Sequence, residues 1–251
     1  MGEYWFLVHL AVFVAALFQA ATGLGFGLLA GPVLLLAVGD VSAIQTSILL
    51  SLMIALILSP PLFKQADPAM LRHLLIGTVA GLPIGITIYC YADLRDLELL
   101  AGAAVLTMGL GVLLVARSAG PPRHRPLARY LDIAVGGVSG IMTVCLGMPG
   151  PAPAGWMAAR SYEKAVIRAT MLTLFVPAYS LALALQVSVA TLTLDTWSTT
   201  ATLAPATLIG LFCGKVVASR ISERVFRLCI SILLLSTAAL LLIHGFGRFT
   251  S

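Results

Sequence analysis

Apolar residues in this chain come in stretches of about 20, the length a helix needs to cross roughly 30 Å of hydrocarbon at 1.5 Å per residue. Short polar punctuation separates them. The segments fall at 4–22, 27–38, 41–63, 70–91, 97–116, 131–146, 152–159, 165–187, 197–219 and 225–246, and those at 27–38 and 152–159 are too short to span. A transmembrane barrel is excluded, because its strands would be about ten residues of alternating polarity. With 60% of the 251 residues hydrophobic and 10% charged, against about 25% charged in an ordinary soluble domain, one water-facing globule could not bury the apolar surface. The expected fold class is an all-α polytopic membrane protein.

The net charge of +5 is spread over short loops, with no soluble domain to carry a nucleic-acid interface, so the basic residues read as topology signals. Cys90, Cys145, Cys213 and Cys229 lie in or beside apolar segments at spacings that fit neither a disulfide framework nor a metal site. They read as packing residues. The first Lys or Arg is Lys64, so residues 4–22 lack the positive n-region of a signal peptide and read as a retained segment. The N-terminus is expected outside the cytoplasm, with the chain in the cell inner membrane.

One connection is distinctly hydrophilic, RSAGPPRHRPLARY at 117–130, and it divides the chain near its midpoint. The expected organisation is a first transmembrane repeat at 1–116, a cytoplasmic basic loop at 117–130 and a second repeat at 131–251. The halves resemble each other. Gly31-Pro32 followed by Ala43-Ile44-Gln45-Thr46 parallels Gly150-Pro151 followed by Ala165 to Thr170, and Gly81-xxx-Gly85 parallels Gly210-xxx-Gly214. The series Gly77, Gly81, Gly85 permits close helix contact and reads as packing between the repeats before it reads as a dimer face; a homodimer stays open.

Charge placement gives the relative orientation. With residues 117–130 inside and each half built as a re-entrant helical hairpin plus three crossings, 13 of the 15 Lys and Arg fall on the cytoplasmic side, Arg95 and Arg248 excepted. An odd number of crossings per half makes the two repeats inverted.

Chemistry concentrates at two breaks. QAATGLGFG, from Gln19 to Gly27, opens a glycine-rich gap before Gly31-Pro32. No βαβ unit surrounds it, so a dinucleotide-binding reading fails. At membrane depth such a gap turns the N–H groups of the following half-helix inward, which suits an anion. GMPGPAPAG, from Gly147 to Gly155, carries three prolines that forbid continuous helix. Both stretches could also be kinks where helices pack; their corresponding places in two inverted halves favour a binding site.

Residues 139–172 and 21–52 resemble the two repeat signatures of the sulfite exporter TauE/SafE family, also called the four-toluene-sulfonate uptake permease family, and residues 206–235 resemble its C-terminal helix pair. The second repeat departs from that pattern, with Pro149 in Gly147-Met-Pro-Gly-Pro where the family usually has glycine. The resemblance implies a membrane transporter, by this reading an exporter, of a small sulfur-containing anion such as sulfite, sulfoacetate or another organosulfonate, working by alternating access. A non-transporting membrane scaffold or assembly subunit is the alternative.

The candidate substrate-binding residues are Gly25, Gly27, Gln19, Gln45, Thr46, Ser47, Pro149, Gly150, Trp156, Arg168 and Thr170. Trp156 reads equally as an interface anchor, and Arg168, one turn past Lys164, equally as a side chain snorkelling to the interface. Lys215 reads as snorkelling. The expected partners are a small anion and the bilayer, with no nucleic acid, cofactor or metal. No nucleophile with its base assembles, so no enzyme is expected. All ten carboxylates fall in loops or at segment ends. That leaves no buried carboxylate to couple protons, and predicts export driven by the membrane potential.

Overall fold

The computed structural model describes residues 2–24, 26–93, 95, 96, 99, 103, 106, 128–218 and 239. The expectations for Gly25, Cys229, most of segment 97–116, residues 117–127 and nearly all of segment 225–246 lie outside the described residues. Among these there are eight α-helices and no strand: α1 (Gly2–Thr22), α2 (Phe26–Val38), α3 (Ser42–Leu62), α4 (Pro68–Tyr91), α5 (Ala128–Leu146), α6 (Pro151–Ala159), α7 (Lys164–Val189) and α8 (Leu194–Ala218). All but α2 and α6 contain stretches long and apolar enough to cross a membrane.

Local chemistry sets the ends. Asp67 caps α4 by accepting the Met70 N–H at 2.8 Å, and Pro68 fills the first helical position, where no N–H is needed. The helices that open the two hairpins, α1 and α5, each end on a left-handed glycine, Gly23 at φ +78° and Gly147 at φ +64°. The second break is narrower than its prolines suggest. Only 147–150 leave the helix, because Pro151 starts α6 and Pro153 sits in its first turn, where proline is tolerated.

Long-range packing follows the glycines. Gly77, Gly81 and Gly85 of α4 lie against the backbone at Ile133, Gly137 and Ile141 of α5, in that order, so the two helices run parallel with no room for a β-carbon between them. Gly210 and Gly214 of α8 lie in the same way against the carbonyls of Phe13 and Leu17 of α1. Both glycine series therefore join one half of the chain to the other, as the sequence suggested. Between these pairs α3 and α7 run antiparallel: Gln45 near the start of α3 reaches the Ala190 carbonyl past the end of α7, and the Asp67 N–H after α3 donates to Thr170 Oγ1 near the start of α7. The α5–α6 hairpin returns to where it began, since Arg160 Nη1, just past α6, is 2.7 Å from Asp132 Oδ1 in α5.

The centre holds large apolar side chains such as Phe26, Leu34, Ile48 and Phe175 together with buried polar residues, among them Gln19, Ser47, Ser51, Thr143 and Gln186, while other large apolar side chains such as Leu56, Ile84, Ile209 and Phe212 point outward. That distribution suits a lipid surround. Of the cysteines, Cys145 packs inside with Sγ 3.2 Å from the Gly85 carbonyl, whereas Cys90 and Cys213 are exposed and so are not internal packing residues.

Candidate functional site

The second break is built from α5, α6 and α7. Where the chain leaves the helix at Gly147, buried side chains take up its carbonyls: Gln186 Nε2 donates to Val144 at 2.6 Å, Tyr179 Oη to Gly147 at 3.3 Å, and Ser139 Oγ to Pro149 at 2.7 Å. Orphaned carbonyls at that depth would each cost several kcal/mol. None of Ser139, Tyr179 and Gln186 was singled out from sequence, yet a signal existed: Tyr179 and Gln186 stand two turns apart on one face of an otherwise apolar helix. Pro151 and Pro153 carry no N–H, so the N-terminus of α6 offers fewer donors than the break alone implied.

In the first break Thr22 Oγ1 donates to the Phe18 carbonyl at 2.7 Å and accepts the Leu24 N–H at 3.0 Å, which fixes the turn out of α1. The Gly23 N–H donates to the Gln19 carbonyl at 2.8 Å.

The two breaks touch. Gly27 lies on the Gly147 carbonyl, and a β-carbon on Gly31 would stand 3.1 Å from Met148 Cε, so the Met148 side chain occupies the slot that the two α2 glycines leave open. On the other side a β-carbon on Gly150 would stand 2.6 Å from Leu24 Cδ2 and 2.9 Å from Phe175 Cζ. Glycine is thus required at Gly27 by close approach of a backbone carbonyl, whereas at Gly150 the neighbours are side-chain ends that could shift, and Gly23 adds a backbone that other residues rarely adopt.

Polar groups gather beside this contact. Gln19 is fully buried and donates from Nε2 to the Ser51 carbonyl at 3.3 Å. Ser47, also fully buried, directs Oγ toward Gly147, 3.7 Å from where a β-carbon there would sit. Among the described residues neither Ser47 Oγ nor Gln19 Oε1 has a hydrogen-bond partner. Arg168 donates from Nε to the Ala20 carbonyl at 2.9 Å, and its backbone and Cγ cover Gly23, so it packs on the tip of the first hairpin. Among the described residues it makes no ion pair with a carboxylate.

Three candidates lie elsewhere. Gln45 is buried but bonds to Ala190 at the far end of α7, and Thr170 holds the Asp67 N–H of the turn into α4. Trp156 neither lines the contact nor stacks over it, because its Nε1 donates to Asp132 Oδ1 at 2.7 Å. Thr46 is buried in α3 beside Ser47, and the Pro149 carbonyl is taken by Ser139.

The sequence profile of the sulfite exporter TauE/SafE family matches residues 8–241, which include both breaks and all eight helices except the start of the first. The chain belongs to the sulfite exporter TauE/SafE family. No curated protein and no solved structure matches it. Membership makes this TauE/SafE chain a multi-pass membrane transporter of a family whose cargo is sulfite and related sulfur anions.

In this family member one carboxylate departs from the sequence expectation. Asp132 is buried inside a spanning segment, the one starting at Arg129. It accepts from Arg160 Nη1 at 2.7 Å as well as from Trp156, and its Oδ2 lies 3.3 Å from His73 Nδ1 on α4. The Arg160 guanidinium also sits 5.7 Å from the centre of the Trp156 ring and 5.9 Å from that of Tyr162, within cation–π range. Burial first, and then the Asp67 carboxylate, push the Tyr162 phenol above its ordinary pKa. Asp132 looked like a segment end because it is five residues into α5; the returning α6 is what covers it.

Proposed function

We propose that this protein exports a small sulfur-bearing anion, sulfite or a short organosulfonate such as sulfoacetate, across the cell inner membrane by alternating access around the two hairpin tips. The observation that carries this reading is Arg168: a partly buried guanidinium with no carboxylate partner among the described residues, held against the tip of the first hairpin. An uncompensated cation in a membrane segment marks a pathway for anions. Ser47 at Gly147 and Gln19, next to Ala20 in sequence, supply neutral groups, and the N-terminal N–H groups of α2 supply positive dipole.

Two further observations support inverted halves. The parallel pairs α1 with α8 and α4 with α5 match the first helix of each half to the last described helix of the other, as a two-fold relation would. The α5–α6 hairpin closes on the side of Arg160 and Lys164, which the positive-inside rule assigns to the cytoplasm, and this supports the reading of an N-terminus outside.

In this reading a negative-inside potential favours efflux by about 2.3 kcal/mol per negative charge per 100 mV. Proteoliposomes loaded with radiolabelled sulfite or sulfoacetate and given a potassium-diffusion potential test it. Efflux should follow the potential and fall in Arg168→Gln. No flux above protein-free vesicles for any anion of a sulfur-oxyanion panel would favour the scaffold reading instead.

A further inference from the structure

Two buried glutamines have used up their donors on backbone carbonyls. Gln19 of α1 gives Nε2 to Ser51 at 3.3 Å, and Gln186 of α7 gives Nε2 to Val144 at 2.6 Å. What each leaves over is a bare amide oxygen, buried and without a hydrogen-bond partner among the described residues. An amide oxygen only accepts, so it calls for a donor or a cation and not for an anion. Near Gln19, two serine hydroxyls are in the same condition. Ser47 and Ser51 stand one turn apart on one face of α3, fully buried, and neither Oγ has a partner among the described residues. A buried helical hydroxyl can satisfy itself on the carbonyl four residues back, as Thr143 does at 2.6 Å and Thr207 at 3.0 Å. Both serines forgo that bond.

These oxygens close a ring where the two breaks meet. Gln19 reaches Ser51 from α1, the Ser51 hydroxyl neighbours the Tyr179 phenol of α7, Tyr179 Oη donates to the Gly147 carbonyl, and Ser47 Oγ points back at Gly147. Gly147 directly follows the last residue of α5, and the C-terminal end of a helix carries partial negative charge. Side-chain oxygens joined to a carbonyl at the end of a broken helix are the ligand type that holds a hard monovalent cation at membrane depth. The set contains no carboxylate, which suits a single positive charge better than a divalent ion. Gly27, seated on the Gly147 carbonyl, keeps the space small, which selects sodium over the larger potassium. We propose that Gln19 Oε1, Ser47 Oγ, Ser51 Oγ and the Gly147 carbonyl form a sodium site between the two hairpin tips, and that the bound ion strengthens anion binding beside it. Ala20, next to Gln19 in α1, accepts from Arg168, so the ion and the guanidinium meet α1 at consecutive residues and attract the same anion.

The link to the anion rests on the transporter reading above; the sodium site itself does not, and two measurements keep them separate. In detergent at constant ionic strength, the melting temperature is followed as choline chloride is replaced by sodium chloride or by potassium chloride. Sodium at about 100 mM should raise it by about 2 °C or more, and potassium much less. Ser47→Ala and Ser51→Ala should lose the sodium increment, while in choline their melting temperatures stay level or rise, because an unsatisfied buried hydroxyl is gone. A purely structural hydroxyl would instead lower stability in every salt. No sodium increment in the parent, an equal one with potassium, or an unchanged one in a folded serine variant overturns the site, and the parent series decides even where a variant fails to fold. Sulfite and methanesulfonate, added as choline salts, are then titrated with and without sodium. Each should bind at least about fivefold more tightly in sodium, and sodium should gain by the same factor when the anion is present. Equal anion affinity in both salts overturns the link. If no sulfur oxyanion binds in either salt, the transporter reading falls and the link with it, while the salt series still decides the sodium site.

Discussion

Gly27 at the start of α2 lies directly on the carbonyl oxygen of Gly147 at the end of α5. Residues 120 positions apart in sequence, from opposite halves of the chain, thus meet where both helices are interrupted (147 − 27 = 120). This contact leaves no space for a side chain.

Substitution there should be felt first in transport. Gly27→Leu is expected to abolish efflux, and Gly27→Ala to reduce it at least about tenfold while costing about 1–3 kcal/mol of stability, the usual range for overpacking. Proteoliposome flux beside thermal unfolding in detergent checks it. Wild-type flux in both variants would show that the tips do not bear on transport.

Gly23 and Gly39 share a left-handed backbone, at φ +78° and +79°, but differ in surroundings: a β-carbon on Gly23 would meet Arg168 Cα at 2.9 Å, and one on Gly39 would meet nothing within 4 Å. Gly39→Ala should cost only backbone strain, about 1–2 kcal/mol. Gly23→Ala should cost more and should lower anion affinity by moving Arg168. Equal melting temperatures for the two variants would contradict the packing described.

In the parallel helix pairs, Gly81→Ala and Gly210→Ala drive a methyl into the carbonyls of Gly137 and Phe13, whereas Gly137→Ala meets its nearest neighbour at an ordinary 3.8 Å. The first two should lower the melting temperature substantially and similarly. Gly137→Ala should be nearly silent. A thermal series in one detergent separates these cases.

For Arg168 the decisive comparison is Lys against Gln. Arg168→Gln removes the charge and should weaken binding of the transported anion at least about tenfold, or 1.4 kcal/mol. Arg168→Lys should retain part of it, since an ammonium keeps the charge but lacks the planar guanidinium that bonds Ala20. Thermal-shift titration with sulfite and short sulfonates reads both. Equal affinity in all three proteins would return Arg168 to a purely structural role.

Much of the architecture was legible in the sequence because it is dictated locally. A run of about 20 apolar residues must become a spanning helix whatever surrounds it, and glycine or proline clusters interrupt helices for reasons internal to the backbone. The positions of α1 through α8, both breaks and the glycine stripes follow from that, and so does the family resemblance. What the sequence could not fix is which polar side chain meets which helix. Arg168 looked equally like an interface anchor and a ligand, and only the fold shows that its Nε bonds the carbonyl of Ala20, 148 residues away. Asp132 passed for a solvent-facing helix start until α6, folding back, put Arg160 and Trp156 on its carboxylate. Trp156, Thr170 and Gln45 were placed at the breaks by their nearness in sequence, but each is claimed by a closer donor or acceptor on another element. A buried polar group must be satisfied by whatever lies within about 3 Å, and in this chain that neighbour is supplied by the packing of one half against the other.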